Sequence, residues 1–401
     1  MKYVTSCCIT ASFVLLLTGC DGASWQIDTV DTAGNVGQYC SIAVDANGSA
    51  HIAYFHHVGD EKIGDGTVPY GDLKYACNAY GQWDTVTLDA GTGLTPRISI
   101  DRYDAVHIVH SKLDATDIAR FLDLKYTTNK SGSWETITVS SGVVKGVDAS
   151  VAADSTGSVH ISLRNEEGVG TTDKGSPGGM RYVTNAGGQW TWVDVDTSPA
   201  AGNDTDIAVD ANDRVHISYL DKSAGLKYAT NAGGSWEVYS IDTAPNVGWN
   251  TSIGVDGNNA VHISYSDPSP VLDPPGNGTL KYATNISGAW TTRIMDDEDA
   301  GLYTGIAVDG RDRLHIAYYA YDGVTGSLRY ASNISGSWAQ ETLDATGIVG
   351  LFSAIAADFD GMLHISYYDY ANQELKYAEK EVMLPDYQAG LSRHNPVNMV
   401  K

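Results

Sequence analysis

Ser41-Ile42-Ala43-Val44-Asp45-Ala46-Asn47-Gly48-Ser49-Ala50-His51-Ile52-Ala53-Tyr54 is the stretch from which the rest of the chain can be read. A run of apolar and small residues ends in Asp45, a glycine-containing turn follows, and His51 stands six residues after the aspartate at the head of a second alternating run. Period-two alternation on both sides of Asp45-Ala-Asn-Gly48 predicts a β-hairpin. The same spacing recurs at Asp101/His107, Asp154/His160, Asp210/His216, Asp256/His262, Asp309/His315 and Asp358/His364. Seven copies with one internal spacing, 46 to 56 residues apart, are an internal repeat.

Each copy is followed by a Leu-Lys-Tyr-like segment centred on Tyr75, Tyr126, Tyr182, Tyr228, Tyr282, Tyr330 or Tyr377. Six of these lead through Asn and a glycine turn to Trp83, Trp134, Trp190, Trp236, Trp290 and Trp338. In the first unit the period-two runs are Ser41 to Asp45, His51 to Tyr54, Leu73 to Asn78 and Trp83 to Leu88, four short strands with turns between them. A four-stranded sheet of this kind cannot bury both faces alone, so copies must stack and the stack must close. The sequence therefore predicts an all-β, seven-bladed β-propeller with four-stranded blades. Trp25 stands ahead of the first unit, and the last unit lacks a tryptophan. Ser24 to Val30 is accordingly expected to close the ring as the outermost strand of the last blade, beside the strands near Ile355, His364 and Tyr377.

Composition agrees with this class and narrows the partners. The 401 residues carry 49 acidic and 25 basic side chains, a formal charge of -24, which repels phosphate backbones and argues against nucleic acid as a partner. Residues 1–19 combine Lys2 with an apolar run from Ala11 to Leu17 that is shorter than the roughly 20 residues a spanning helix needs. They read as an export signal. Leu17-Thr18-Gly19-Cys20 resembles the bacterial lipoprotein box, which implies lipidation of Cys20, a linker over 20–23 and anchoring to a membrane of the bacterial cell envelope on its extracytoplasmic side. The propeller is assigned to 24–379 and a C-terminal surface extension to 380–401. Cys40 and Cys77 remain after the signal and the anchor, and their places near opposite ends of one blade argue against a disulfide.

Strands A to D run outward from the axis, A descending from the top face, so the A–B and C–D turns lie on the bottom and the B–C and D–A loops on the top. Bottom A–B turns are uniformly short, whereas the B–C connections include long insertions at Phe55 to Gly71, Arg164 to Gly179 and Ser266 to Thr279. A scaffold that keeps its frame constant and varies one rim is expected to bind there. Three places before the first apolar residue of each strand A stand Tyr39, Thr95, Asp148, Asp204, Asn250, Tyr303 and Phe352, with Trp249 beside Asn250. Aromatic faces beside carboxylates and amides suit a sugar, whose C–H faces stack while its hydroxyls take the polar groups. Tyr39, Asp148, Asp204, Trp249, Asn250, Tyr303 and Phe352 are therefore the expected ligand-binding set.

The repeated histidines are expected in the inter-blade layer, bonded to neighbouring backbone or to the turn aspartates, which in turn accept turn N–H bonds. No metal or cofactor is assigned. Calcium in the acidic turns Asp210-Ala-Asn-Asp213 and Asp358-Phe-Asp360 is one alternative; a divalent ion held by His56, His57, Asp60 and Glu61, the densest mixed cluster of histidines and acids, is another, a solvated loop being the expectation there.

The Asp-x-x-Gly-x-x-His-Ile-x-Tyr, Leu-Lys-Tyr-Ala-x-Asn and Gly-Ser-Trp segments resemble those of secreted and lipid-anchored bacterial propellers related to the sialidase-type repeat superfamily, over about residues 24 to 379. In the sialidase-type turn the glycine leads to a tryptophan; here it leads to His51 and its equivalents. The resemblance implies the architecture and leaves lectins, glycosidases, polysaccharide lyases and interaction platforms open. A sialidase would need three convergent arginines, and only Arg97, Arg120 and Arg164 fall toward the top. A glycosidase could draw on Asp148 and Asp204, and a lyase on His110, Tyr39 and Arg97. The expectation is a cell-envelope lipoprotein whose top face binds a glycan or a protein partner, binding or scaffolding taking precedence over catalysis. The alternatives are a carbohydrate-active enzyme of the same fold and a structural subunit of an envelope complex.

Overall fold

The period-two runs pair into seven separate four-stranded antiparallel sheets in the computed structural model, which describes residues 24–63, 66–91, 93–113, 122–140, 149–165, 178–244, 247–268 and 278–382. Blade 1 consists of Asn35–Val44, Ala50–Ile63, Gly66–Cys77 and Asp84–Asp89, strands A to D in that order. Blades 2 to 6 follow with strands A beginning at Leu94, Ser150, Asn203, Trp249 and Ala300. Blade 7 takes Val349–Ala357, Met362–Asp369 and Glu374–Glu381 from the C-terminal end, and its fourth strand is Gln26–Asp31 from the other end of the chain. Gln26 pairs with Glu379 and Asp31 with Leu375, antiparallel, so the N-terminal strand closes the ring as the position of Trp25 predicts.

Burial explains why the blades stack. The isoleucine after each repeat histidine, Ile52, Ile108, Ile161, Ile217, Ile263, Ile316 and Ile365, is wholly buried between blades, each worth about 2 kcal/mol of transfer free energy. Across the closing seam Ile52, Tyr54 and Ala76 of blade 1 pack with Leu375 and Tyr377 of blade 7.

The first long insertion differs from its expectation. Phe55 to Gly71 is not an irregular loop: strands B and C of blade 1 continue through it, with His56 opposite Asp72 and Ile63 opposite Gly66, as a two-stranded ribbon standing on the top face. Residues 166–177 and 269–277, most of the other two insertions, lie outside the described residues. Cys40 and Cys77 are both free thiols.

Candidate functional site

Two repeated networks fix the frame around the axis. In six blades the histidine Nε2 meets the turn aspartate Oδ2, from 3.1 Å in His107–Asp101 to 3.4 Å in His262–Asp256. In all seven, Nδ1 lies 2.5 to 2.7 Å from the strand C tyrosine hydroxyl. That tyrosine packs against the tryptophan of the next blade, as in Tyr182 and Trp236 with ring centroids 5.0 Å apart. The aspartates also hold their own turns: Asp45 Oδ1 accepts from the N–H groups of Asn47 and Ser49. The histidines are thus structural, bonded to the aspartates as expected and also to tyrosines, a partner the sequence reading does not assign. Blade 7 departs from the set, His364 Nε2 being buried without an aspartate contact; in blade 4 the 3.4 Å approach of His216 Nε2 to Asp210 also falls short of a hydrogen bond.

The second network was not foreseen. An aspartate at the end of strand D receives the strand B tyrosine hydroxyl and the strand C cation of the next blade. Asp196 takes Tyr219 Oη and Lys227 Nζ, both at 2.8 Å, and Asp344 takes Tyr367 at 2.8 Å and Lys376 at 3.0 Å. Asp31, Asp242 and Asp296 repeat the pattern. Its signal was present in sequence, since each such tyrosine stands three residues after the repeat histidine and each cation just before the strand C tyrosine. Blades 2 and 3 break it with His110 and Leu163 at the tyrosine position. There Lys125 turns to Thr138 and Arg181 to Asp194 of its own blade.

Within this frame, the top of the axis opens into a cavity of about 450 Å³. Tyr39, Thr95, Asp204, Asn250, Tyr303 and Phe352 all line it, six of the seven residues aligned by the repeat. Asp148, the seventh, lies outside the described residues. All six have left-handed backbone, with φ between 44° and 55°. Few L-residues tolerate that conformation, and it occurs here at β-bulges in strand A, such as the register shifts between Ala300, Leu302 and Gly305. In these six blades the bulge re-aims one side chain toward the axis. Gly301 makes this path possible: a Cβ there would sit 2.7 Å from the Leu280 backbone, because the chain crosses tightly over the preceding blade.

The lining is divided by blade. Phe352 packs with Tyr39 and with Tyr303, each at 4.5 Å between centroids, giving an aromatic arc over blades 6, 7 and 1. Among the described residues Thr95, Asp204 and Asn250, from blades 2, 4 and 5, supply the polar arc. Asn250 Nδ2 donates to Asp204 Oδ1 at 3.3 Å, and the Tyr303 N–H donates to Asn250 Oδ1 at 3.1 Å, joining the two arcs. One tier below, Asp206 is occupied by Ser150, Ser252 and the Ile253 N–H, and Arg97 donates to the carbonyl of Pro96. No carboxylate among the described residues pairs with Arg97, and it is the one cation in the lining. Burial raises the pKa of the Tyr39 hydroxyl, and burial together with Tyr39 and Asp204 lifts that of Tyr303 to about 12.

Other expected residues stand elsewhere. Trp249, expected in the binding set, is the first residue of strand A in blade 5; it pairs with Ser266, carries Lys222 over its ring at 5.3 Å, and does not line the cavity. His110 is buried with its Nε2 2.9 Å from Thr127 Oγ1. Arg164 donates to the carbonyls of Pro199 and Ala201, and Arg120 lies outside the described residues. The cluster at His56 is divided, because successive strand residues face opposite ways. His56 meets Asp72 and His57 meets Asp60. Among the described residues no three His, Cys, Asp or Glu side chains converge on a metal position.

No family model and no curated protein matches the chain. Solved structures do. The chain is similar to an ulvan lyase of a new polysaccharide lyase family, with a TM-score of 0.59 and 12% identity over 87% of this chain and 95% of that one. It is also similar to the Aleuria aurantia lectin in complex with Fucα1-6GlcNAc, with a TM-score of 0.51 and 12% identity over 78% and 96%. What they share is the propeller fold. An intramolecular trans-sialidase from Ruminococcus gnavus matches at a TM-score of 0.43 and 12% identity, over 88% and 95%.

Proposed function

We propose that the top cavity receives a saccharide, and that the protein is a carbohydrate-directed propeller held by lipidated Cys20 at a membrane of the bacterial cell envelope. One observation carries the reading of the cavity: an aromatic arc of Tyr39, Phe352 and Tyr303 faces a polar arc of Thr95, Asp204 and Asn250 across a single opening of small-molecule size. A sugar ring stacks its C–H face on the first and gives its hydroxyls to Asp204 and Asn250 of the second, the Thr95 hydroxyl being buried. Strand A fixes both arcs before any ligand arrives, which lowers the ordering cost of binding.

Binding without turnover is the leading form of this proposal. Of the groups considered for elimination, His110 is committed to Thr127, and Tyr39 would have to give up a proton from a hydroxyl whose pKa burial raises. Catalysis is the second form, supported by Arg97, whose guanidinium is placed to neutralise a uronate in the cavity, the ulvan lyase being one propeller of this fold that acts on a polysaccharide.

A glycan array probed with the full chain, with and without calcium, tests both forms when each bound glycan is then incubated and checked for cleavage. Retention of intact glycan, lost in Tyr303→Ala, supports binding; new unsaturated or hydrolysed ends support catalysis; no retained glycan overturns the saccharide reading. The anchor is tested separately by Cys20→Ala, which is expected to move the protein from the membrane to the soluble fraction.

A further inference from the structure

The bottom face carries an asymmetry that the repeat does not require. Its hairpin tips present Ile286 on blade 5, Ile334 on blade 6, Phe359 on blade 7, Tyr80 on blade 1 and Tyr103 on blade 2, with exposures of 65%, 37%, 81%, 87% and 65%. At the corresponding tips blades 3 and 4 carry only small or polar residues, among them Ser155, Ala186, Asn212 and Ala232. The five apolar tips are consecutive around the ring, and blade 7 is their centre. Blade 7 is also where the chain enters the propeller: strand D starts at Gln26 on the bottom face, preceded by the segment with the apolar run Ala11 to Leu17 and Cys20.

We propose that this arc is a lipid-contact surface, which seats the anchored propeller on a zwitterionic bilayer with blade 7 lowest and turns the cavity away from the membrane. The proposal rests on the anchor reading above. Large apolar side chains at turn tips, freely exposed, are costly in water and gain by entering the interface, where tyrosine is especially suited. Phe359 lies in the A–B turn of blade 7, the blade the chain enters, and Tyr80 in the C–D turn of the adjoining blade 1, so both belong to the side of the ring that carries the anchor. Arg102 lies over the Tyr103 ring at 5.5 Å and is placed to meet headgroup phosphate. The formal charge of -24 works against a strongly anionic surface, so the apolar tips carry the main part of the contact.

The experiment uses the lipidated chain beginning at Cys20, free of Cys7 and Cys8 of the export signal, reconstituted in phosphatidylcholine vesicles, with Cys77→Ser to remove the half-buried thiol; Cys40 is buried and Cys20 carries the anchor. An environment-sensitive fluorophore is placed in turn at Phe359→Cys, Tyr80→Cys, Ala186→Cys on the bottom of blade 3, and Val324→Cys on the top, and quenched with spin-labelled lipid or aqueous iodide. Lipid quenching at 359 and 80, weaker at 186 and absent at 324, with iodide showing the reverse order, is the expected result. Equal lipid quenching at 359 and 324 overturns the proposal. Protection of 359 from iodide without lipid quenching also overturns it and assigns the arc to a protein partner or a second copy. Because the fluorophore is itself apolar, Tyr80→Ser/Phe359→Ser with the label at Tyr103→Cys serves as a second measurement, and loss of lipid quenching at 103 is expected. Protein that does not sediment with the vesicles at all counts against the anchor, whereas sedimenting protein with unquenched tips counts against the contact surface alone.

Discussion

Trp25 and Tyr330 come from near opposite ends of the chain and meet edge to face, ring centroids 5.2 Å apart and planes at 73°. The contact is the one each blade makes with the next, but here it is made by the strand that closes the ring. Trp25→Ala is therefore expected to destabilise the protein as much as Trp236→Ala, each by about 3 kcal/mol in guanidinium unfolding. An unchanged midpoint for Trp25→Ala would mean that the N-terminal strand adds nothing to closure.

The strand D carboxylates bear on stability differently. Asp344→Asn would leave the Lys376 ammonium, with its side chain only 15% exposed, without its carboxylate. The expected loss is about 3 kcal/mol, because an uncompensated buried charge costs more than the pair gains. Lys125→Ala, in a blade without this latch, is expected to cost less than about 0.5 kcal/mol.

Acid should weaken the fold in two stages. Burial lowers the His364 pKa to about 4, and His107, His216, His262 and His315 move in the same direction, burial outweighing their aspartates; His51 moves upward because Cys77 and Asp45 outweigh burial. For the lowered group the unfolded chain binds protons first, so stability is full above about pH 7 and falls as pH drops from 6.5 toward 4. His364 accounts for about 3 kcal/mol of that loss once pH is below both values. Unfolding at pH 7.5 and 4.5 checks this, and His364→Gln should show a smaller difference than the unaltered chain. At Asp31, Asp196, Asp242 and Asp344 burial is outweighed by hydrogen bonds that lower the pKa, from lysine, backbone N–H and tyrosine, and at Asp344 first from Thr346. They keep their contribution above about pH 4 and lose it only as pH falls further.

For the cavity, Tyr303→Ala and Asn250→Ala are each expected to weaken saccharide binding about tenfold or more, some 1.4 kcal/mol. Trp249→Ala is expected to have a smaller effect, since its ring stands by Lys222 outside the lining. Arg97→Met should discriminate, weakening a carboxylated sugar far more than a neutral one. Titration calorimetry with glycans from the array measures all four.

Thr95 is β-branched, has φ of 47°, and its hydroxyl is buried without a hydrogen-bond partner. Asparagine tolerates the left-handed conformation, as Asn250 does in blade 5. Thr95→Asn is thus expected to raise stability by about 1 kcal/mol, measured as an upward shift in Tm. No gain would mean that the bulge is unstrained there.

Blade number, strand order and closure were legible because each rests on a local rule repeated along the chain. Asp45 and His51 bracket one hairpin, Tyr75 and Trp83 another, and the lone Trp25 marks the strand that has to travel. Alignment by the repeat also found the ring of six lining residues, since equivalent places in equivalent blades point the same way. It did not find their left-handed backbone or the division into two arcs. It carried Trp249 into the binding set along with its neighbour Asn250, although successive strand residues face opposite ways and Trp249 stands outside the lining, and it read the extended ribbon over Phe55 to Gly71 as a loop.

Spacing and alternation alone thus determined the architecture, because turns and two-residue periodicity are properties of neighbours in the chain. Tertiary structure decided which side chains share the cavity, which carboxylate meets which lysine and where apolar tips gather on the bottom face. Those depend on how seven blades meet around a closed axis, and residues such as Tyr39 and Tyr303 become neighbours of Phe352 only once the ring has shut.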